Sequence, residues 1–228
     1  MMKNEPYTRY PRPTLWLLRD GDAFVGGEGG DTEPPFQMSV EAFYISKSPV
    51  TNEEFEVFRR DFERSPSSPG DLSPAVGVSF HEAAAYCDWY SERTGKHFRL
   101  PTEVEWEYAC RGDRDTRYFF GSTGAQADTY VWHAENVPEE LPEVESLRSN
   151  PFGLYEMLGT VWEWTSSLHA PYPVTPGDGR EDRDAPGDRV ARGGSFRQGV
   201  DQMGCSVRLG LAPETIRDDV GFRIVRLL

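Results

Sequence analysis

The sequence predicts an α+β domain with segregated elements and a large share of irregular loop. A strand-like stretch, Phe36 to Ile45, precedes three helix starts, and two Gly-bracketed strand-like pieces close the chain. Gly (22) and Pro (18) are plentiful while apolar residues make up only 37%, which favours loops over a helical bundle. The 228 residues suffice for one domain with a real core, and 6 Trp, 10 Tyr and 13 Phe supply the large contacts that aliphatic residues do not.

In chain order, residues 1–20 are rich in Pro and aromatics and read as an extended N-terminal arm, leaving 21–228 as the domain. Phe36 to Ile45 alternates over part of its length and reads as a strand. Three capping boxes follow, each a Ser or Thr with Glu three residues later. Thr51 with Glu54 opens a helix carrying Phe55, Phe58 and Phe62. Ser79 with Glu82 opens one through Ala83, Cys87 and Tyr90, closed by Gly95. Thr102 with Glu105 leads into Trp106, Tyr108 and Ala109, closed by Gly112. Ser65 to Pro74 is a loop. The stretch from Arg111 to Asn150 is irregular and acidic, its Glu139, Glu140, Glu143 and Glu145 reading as a solvated face. Pro171 to Asp188 is a second charged loop full of breakers. Arg192-Gly193-Gly194-Ser195-Phe196 and Gly221-Phe222-Arg223 then bracket a polar, sulfur-containing segment, the form of a surface whose loops carry function.

The net charge of −14 comes from 38 acidic against 24 basic side chains. That field repels phosphate backbones and anionic lipid, so neither nucleic acid nor a membrane surface is an expected partner. No apolar run approaches the roughly 20 residues of a membrane span, and no secretory signal is visible at the N-terminus. Three scattered cysteines do not make a disulfide framework. Cys87 and Cys110 read as small buried thiols on helices, and a cytoplasmic setting is expected.

Several further motifs stand in one order. They include Pro49-Val50-Thr51-Asn52, the run from Gly95 through Arg99-Leu100-Pro101-Thr102-Glu103 to Ala109, Asn150-Pro151-Phe152-Gly153-Leu154-Tyr155-Glu156-Met157 and Gly159-Thr160-Val161-Trp162-Glu163-Trp164. With the two closing motifs, they resemble the formylglycine-generating enzyme, or sulfatase-modifying factor, family over roughly residues 20 to 228. The resemblance implies a C-type-lectin-like fold: a small twisted antiparallel sheet, two to three helices and much loop. It also implies a functionally mixed family of copper-dependent cysteine oxidases, sulfoxide-synthase domains and binding domains, so the site must decide.

In the oxidases of that family the two copper cysteines lie two and seven residues after the aromatic of the Gly-Gly-Ser-aromatic motif. Counted from Phe196, those positions hold Gln198 and Met203. An amide and a thioether supply no thiolate, so copper and the oxidase reaction are not expected. Cys205 is the remaining thiol of the segment, and Ser195 matches a serine lining the oxidase site. The four histidines, His81, His97, His133 and His169, are never paired at helical spacing, which speaks against a histidine metal motif. The resemblance further implies a structural calcium held by Glu156 and Glu163 through side chains and by Gly159 and Val161 through carbonyls, an oxygen set suited to a hard cation. The expected function is therefore a sulfatase-modifying-factor-like binding module, not an oxidase. Its ligand is a peptide or protein, met by Ser195, Arg197, Gln198, Asp201, Gln202, Met203, Cys205 and Arg217, with the Pro171–Asp188 loop on the same face. The alternatives are a divergent oxygen-dependent oxidoreductase of the formylglycine-generating type, acting on a peptide or thiol through Cys205, Met203 or a partner's metal site, and a retroelement variable binding protein.

Overall fold

The computed structural model describes residues 11–27 and 30–228. Ten strands and four helices alternate with long irregular stretches in these residues. The first sheet has the order β1-β4-β10-β5, built from Leu15–Leu18 (β1), Phe43–Ser46 (β4), Val225–Leu227 (β10) and Phe98–Arg99 (β5). Gly21–Val25 (β2) and Phe36–Val40 (β3) form an antiparallel pair of their own. The last sheet runs β8-β7-β6-β9 through Arg208–Leu211 (β8), Arg189–Arg192 (β7), Trp162–Leu168 (β6) and Val220–Phe222 (β9), and β6 pairs with β9 in parallel.

The three capping boxes start the three main helices: Asn52–Phe58 (α1), Phe80–Thr94 (α2) and Glu103–Arg111 (α3). At α3, Thr102 Oγ1 accepts the Glu105 N–H at 3.1 Å and the Glu105 carboxylate accepts the Thr102 N–H at 2.8 Å, satisfying two donors that a helix start leaves open. Gly95 and Gly112 end α2 and α3 in the left-handed conformation. A short helix, Ala127–Tyr130 (α4), interrupts the acidic stretch, which otherwise lacks regular structure. α1 is shorter than its aromatic pattern suggests. It stops at Phe58, and Phe62 returns from the following turn to pack on Phe55 at 4.8 Å.

Phe36 to Ile45 is not one strand. Val40 and Phe43 are both buried, yet residues three apart on a continuous strand point to opposite faces. The chain breaks at Glu41-Ala42, so β3 joins β2 while β4 joins β1 and β10. Of the expected arm, residues 1–10 lie outside the described residues, and Leu15–Leu18 pair with β4 as the edge strand β1.

Two large cores form, one on the last sheet and one on the first sheet and the β2–β3 pair. One gathers Phe55, Phe80, Tyr86, Trp164 and Phe222, with the Trp164 indole donating to Val78 C=O at 2.8 Å so that its one polar atom is satisfied. The other gathers Trp106, Tyr108, Cys110, Met157, Leu158 and Met203 around α3. Between them runs a buried ionic network. Arg192 binds Glu107, Arg111 donates twice to the same carboxylate at 2.9 and 2.6 Å, and Arg208 grips both oxygens of Glu103 at 2.6 and 2.9 Å. Both glutamates and Arg192 are fully buried, so each charge depends on its partner.

Candidate functional site

The site begins where β7 ends. Gly193 and Gly194 follow with φ of 101° and 81°, a conformation that side chains strain to adopt. A Cβ on Gly193 would stand 3.2 Å from both Met157 O and the Trp106 ring. One on Gly194 would stand 2.8 Å from Met203 Cγ and 3.3 Å from Gln198 Oε1. Gln198 and Met203 therefore converge on one point above the turn, although no thiol is present at either.

Ser195 is fully buried. Its hydroxyl donates to Asp219 Oδ2 at 2.8 Å, and its N–H donates to Gln198 Oε1 at 3.1 Å. Asp219, 1% exposed, also receives two bonds from Arg217 at 2.8 Å each, which raises the already high pKa of that guanidinium. Ser195, Asp219 and Arg217 thus tie the glycine turn to the approach to β9. The Ser195 hydroxyl, held by Asp219, anchors the loop.

The exposed rim is formed by Arg197, Asp201 and Gln202, with Gln198 and Arg217 half-buried beside them. Arg197 pairs with Asp218 and lies over the Phe196 ring at 4.8 Å. Arg117 reaches in from the distant loop after α3, donating to the carbonyls of Asp201 and Met203. Three expected contact residues, Ser195, Met203 and Cys205, are at most 1% exposed and cannot touch a ligand in this arrangement. Met203 and Cys205 belong to the α3 core because the short helical turn at Val200–Gln202 points the chain inward. The Cys205 thiol lies against the Cys110 thiol, which also reaches Met157 O at 3.7 Å; burial pushes the Cys110 pKa well up, so the neutral thiol is retained.

The Pro171–Asp188 loop does not share this face. In the β6–β7 hairpin, Leu168 pairs with Arg189 at one end and Glu163 with Arg192 at the other. The loop leaves the first end, whereas the Gly194 turn leaves the second. Its own contacts run elsewhere, to Ser166 and Ser167 through Glu181 and to Asp88 on α2 through Arg183.

The expected calcium segment gives a mixed result. Glu156, Gly159 and Thr160 have φ of 52°, 66° and 56°, so the chain coils tightly there. Glu156 Oε1 accepts the Glu145 N–H at 2.9 Å, while Oε2 is buried without a partner. Burial pushes this carboxyl up to about 8, against the pull of Arg223. Glu163 departs from the expectation. Arg223 takes both its oxygens, at 2.6 and 2.7 Å, and the Trp106 indole adds a third bond at 2.7 Å. A carboxylate already balanced by a buried guanidinium is a poor ligand for a further cation, whereas the orphan oxygen of Glu156 fits one. Among the described residues, no three His, Cys, Asp or Glu side chains gather as a metal-binding group. His133 and His169 instead pair with Asp128 and Asp31.

Sequence reasoning missed Asp219, Asp218 and Arg117. The two aspartates stand immediately before Val220-Gly221, and that adjacency was an available signal. Arg117 carried none.

Comparison with known proteins adds three findings. The sulfatase-modifying factor enzyme 1-like domain matches residues 2–228. The chain is 32% identical to the Bos taurus protein named inactive C-alpha-formylglycine-generating enzyme 2, over 86% of this chain and 81% of that protein. It is also 32% identical to the Mus musculus formylglycine-generating enzyme over 66% of this chain, but spans only 43% of that enzyme, and it spans 39% of the Chlamydia caviae serine/threonine-protein kinase pkn1, to which it is 28% identical over 95% of its own length. Among solved structures, Treponema denticola variable protein 1 superposes with a TM-score of 0.80 at 24% identity, covering 93% of this chain and 94% of that one. PvdO from Pseudomonas aeruginosa does so with 0.80 at 22% identity, covering 95% of each. These two likenesses show the fold.

Proposed function

The chain belongs to the sulfatase-modifying factor enzyme 1-like domain family, and from that premise we propose that it is a non-oxidising member. Its rim of Arg197, Gln198, Asp201, Gln202 and Arg217 binds a peptide or protein. One observation carries this reading: Gln198 and Met203 stand together above Gly194, in the places for which the family resemblance implies copper thiolates. An amide oxygen and a buried thioether do not replace two thiolates around Cu(I). Kinship with a protein named inactive supports the same conclusion. The oxidoreductase alternative through Cys205 meets a thiol fully buried against Cys110, and through Met203 a thioether that is also buried.

The test incubates the purified chain with Cu(I), oxygen and a cysteine-containing peptide. The peptide is expected to return unoxidised and the protein to hold copper at background. Formylglycine in the peptide would refute the proposal.

A structural calcium belongs to the proposal, held by Glu156 Oε2 with the carbonyls of Gly159 and Val161, where it would supply charge to an orphaned oxygen. Equilibrium dialysis against calcium is expected to show one ion per chain for wild type and a loss of at least tenfold in affinity for Glu156→Gln, roughly the effect of removing a charged ligand. Equal binding by both proteins would remove Glu156 from the site.

Among the described residues, no helix is long and apolar enough to cross a membrane. The three free cysteines support a reducing, cytoplasmic setting as part of the same proposal.

A further inference from the structure

The opposite end of the β6–β7 hairpin holds a second feature, independent of the rim at Gly194. A cavity of about 930 Å³ opens between the Val174–Asp182 loop, the Glu41-Ala42 link and the start of α3. That volume lies in the range of ligand-binding clefts. The floor is apolar, formed by Met38, Val40, Phe43 and Val104. The mouth carries Asp20, Glu41 and Asp182, while Glu181 beside them is engaged by the Ser166 and Ser167 hydroxyls.

The two guanidiniums on the wall are already matched. Arg99 holds Glu105 through two bonds of 2.6 and 2.7 Å, and Arg180 holds Asp178 at 2.8 Å. The mouth carboxylates therefore have no paired cation on the cavity wall. Arg180 is 5% exposed and serves the wall as a packed, already paired side chain. Gly177 and Gly179 in the covering loop stand clear, since a Cβ on either would meet nothing within 4 Å.

An apolar floor and an acidic mouth ask for two properties in one occupant: a branched apolar group and flanking cations. We propose that this cavity docks a short segment of a partner protein in which basic residues flank an aliphatic one. Its ammonium groups face the mouth carboxylates, and its aliphatic side chain covers Phe43 and Val104. A second copy of this chain is the wrong occupant, because two bodies of charge −14 repel.

The test titrates the full chain with a fluorescein-labelled Lys-Leu-Lys-Leu-Lys amide, read by anisotropy at low and high salt. Saturable one-to-one binding that weakens steeply with salt is expected. Glu41→Lys and Asp182→Lys, both at exposed positions, should each weaken it about 10-fold and together about 100-fold. Glu135→Lys, the same charge change at the Gly194 end, should leave it unaltered. Unchanged unfolding midpoints would show that the variants are folded. Absent saturation, indifference to Glu41→Lys and Asp182→Lys, or equal binding of the Glu-Leu-Glu-Leu-Glu counterpart would overturn the proposal. Equal competition by spermidine would also overturn it, making the occupant a small cation. None of these outcomes depends on the copper assay.

Discussion

Replacing Arg192 with methionine is expected to destabilise the protein by about 3–5 kcal/mol, the usual cost of removing one member of a buried ion pair. Arg192 is fully buried and donates to Ser206 O at 2.8 Å, Val207 O at 3.1 Å and Cys205 O at 3.0 Å as well as to Glu107. Methionine would fill the volume but leave three carbonyls without those bonds and Glu107 with Arg111 as its remaining guanidinium partner. Arg192→Lys should recover only part of the loss, because a point charge cannot reproduce the planar fork. Urea unfolding of the three proteins measures this. A methionine variant within 0.5 kcal/mol of wild type would mean that the network contributes little.

The double substitution Gln198→Cys with Met203→Cys is expected to yield a protein that holds one Cu(I) per chain, where wild type is expected to hold copper at background. Both side chains approach the same point above Gly194, so two thiolates placed there would face each other. Met203→Cys empties part of a well-packed position and should cost about 1–2 kcal/mol by itself, so the variant's fold must be verified first. Copper is then counted by competition with a Cu(I) chelator under reducing conditions. A folded double variant that stays copper-free would show that the loop, and not only its side chains, has left the oxidase arrangement.

The helices were legible because their signals are local. Ser79 with Glu82 and Thr102 with Glu105 each fall within one turn, and Gly95 and Gly112 mark the ends by their own backbone freedom. The strands were harder. β8, Arg208–Leu211, sits inside a segment that reads as loop, and its identity comes from β7 beside it, not from its own four residues. The charged core was invisible for a related reason. Arg192 and Glu107 are 85 residues apart, and Arg208 and Glu103 are 105 apart, so nothing along the chain announces either pair. Glu163 shows the limit most sharply: a carboxylate suits calcium or a guanidinium equally by type, and only the neighbouring Arg223 decides. Within the candidate site, the family resemblance singles out Gln198 and Met203, and both approach Gly194, but spacing carries no information on depth, so Ser195, Met203 and Cys205 were assigned to a surface they do not reach.

The place of β10 has a consequence for how the chain reaches this structure. Val225–Leu227 do not lie at the border of their sheet. They are inserted between β4 and β5, pairing Val225 with Ile45 on one side and with Arg99 on the other. Until these last three sheet residues dock, β1 with β4 and the short β5 are separate pieces with open edges. The span of chain from β4 to β10 must be ordered before that sheet exists, so loop closure precedes most of its reward. Acquisition of that sheet is thereby concentrated in one step, and β4 and β5 keep open edges until β10 docks between them.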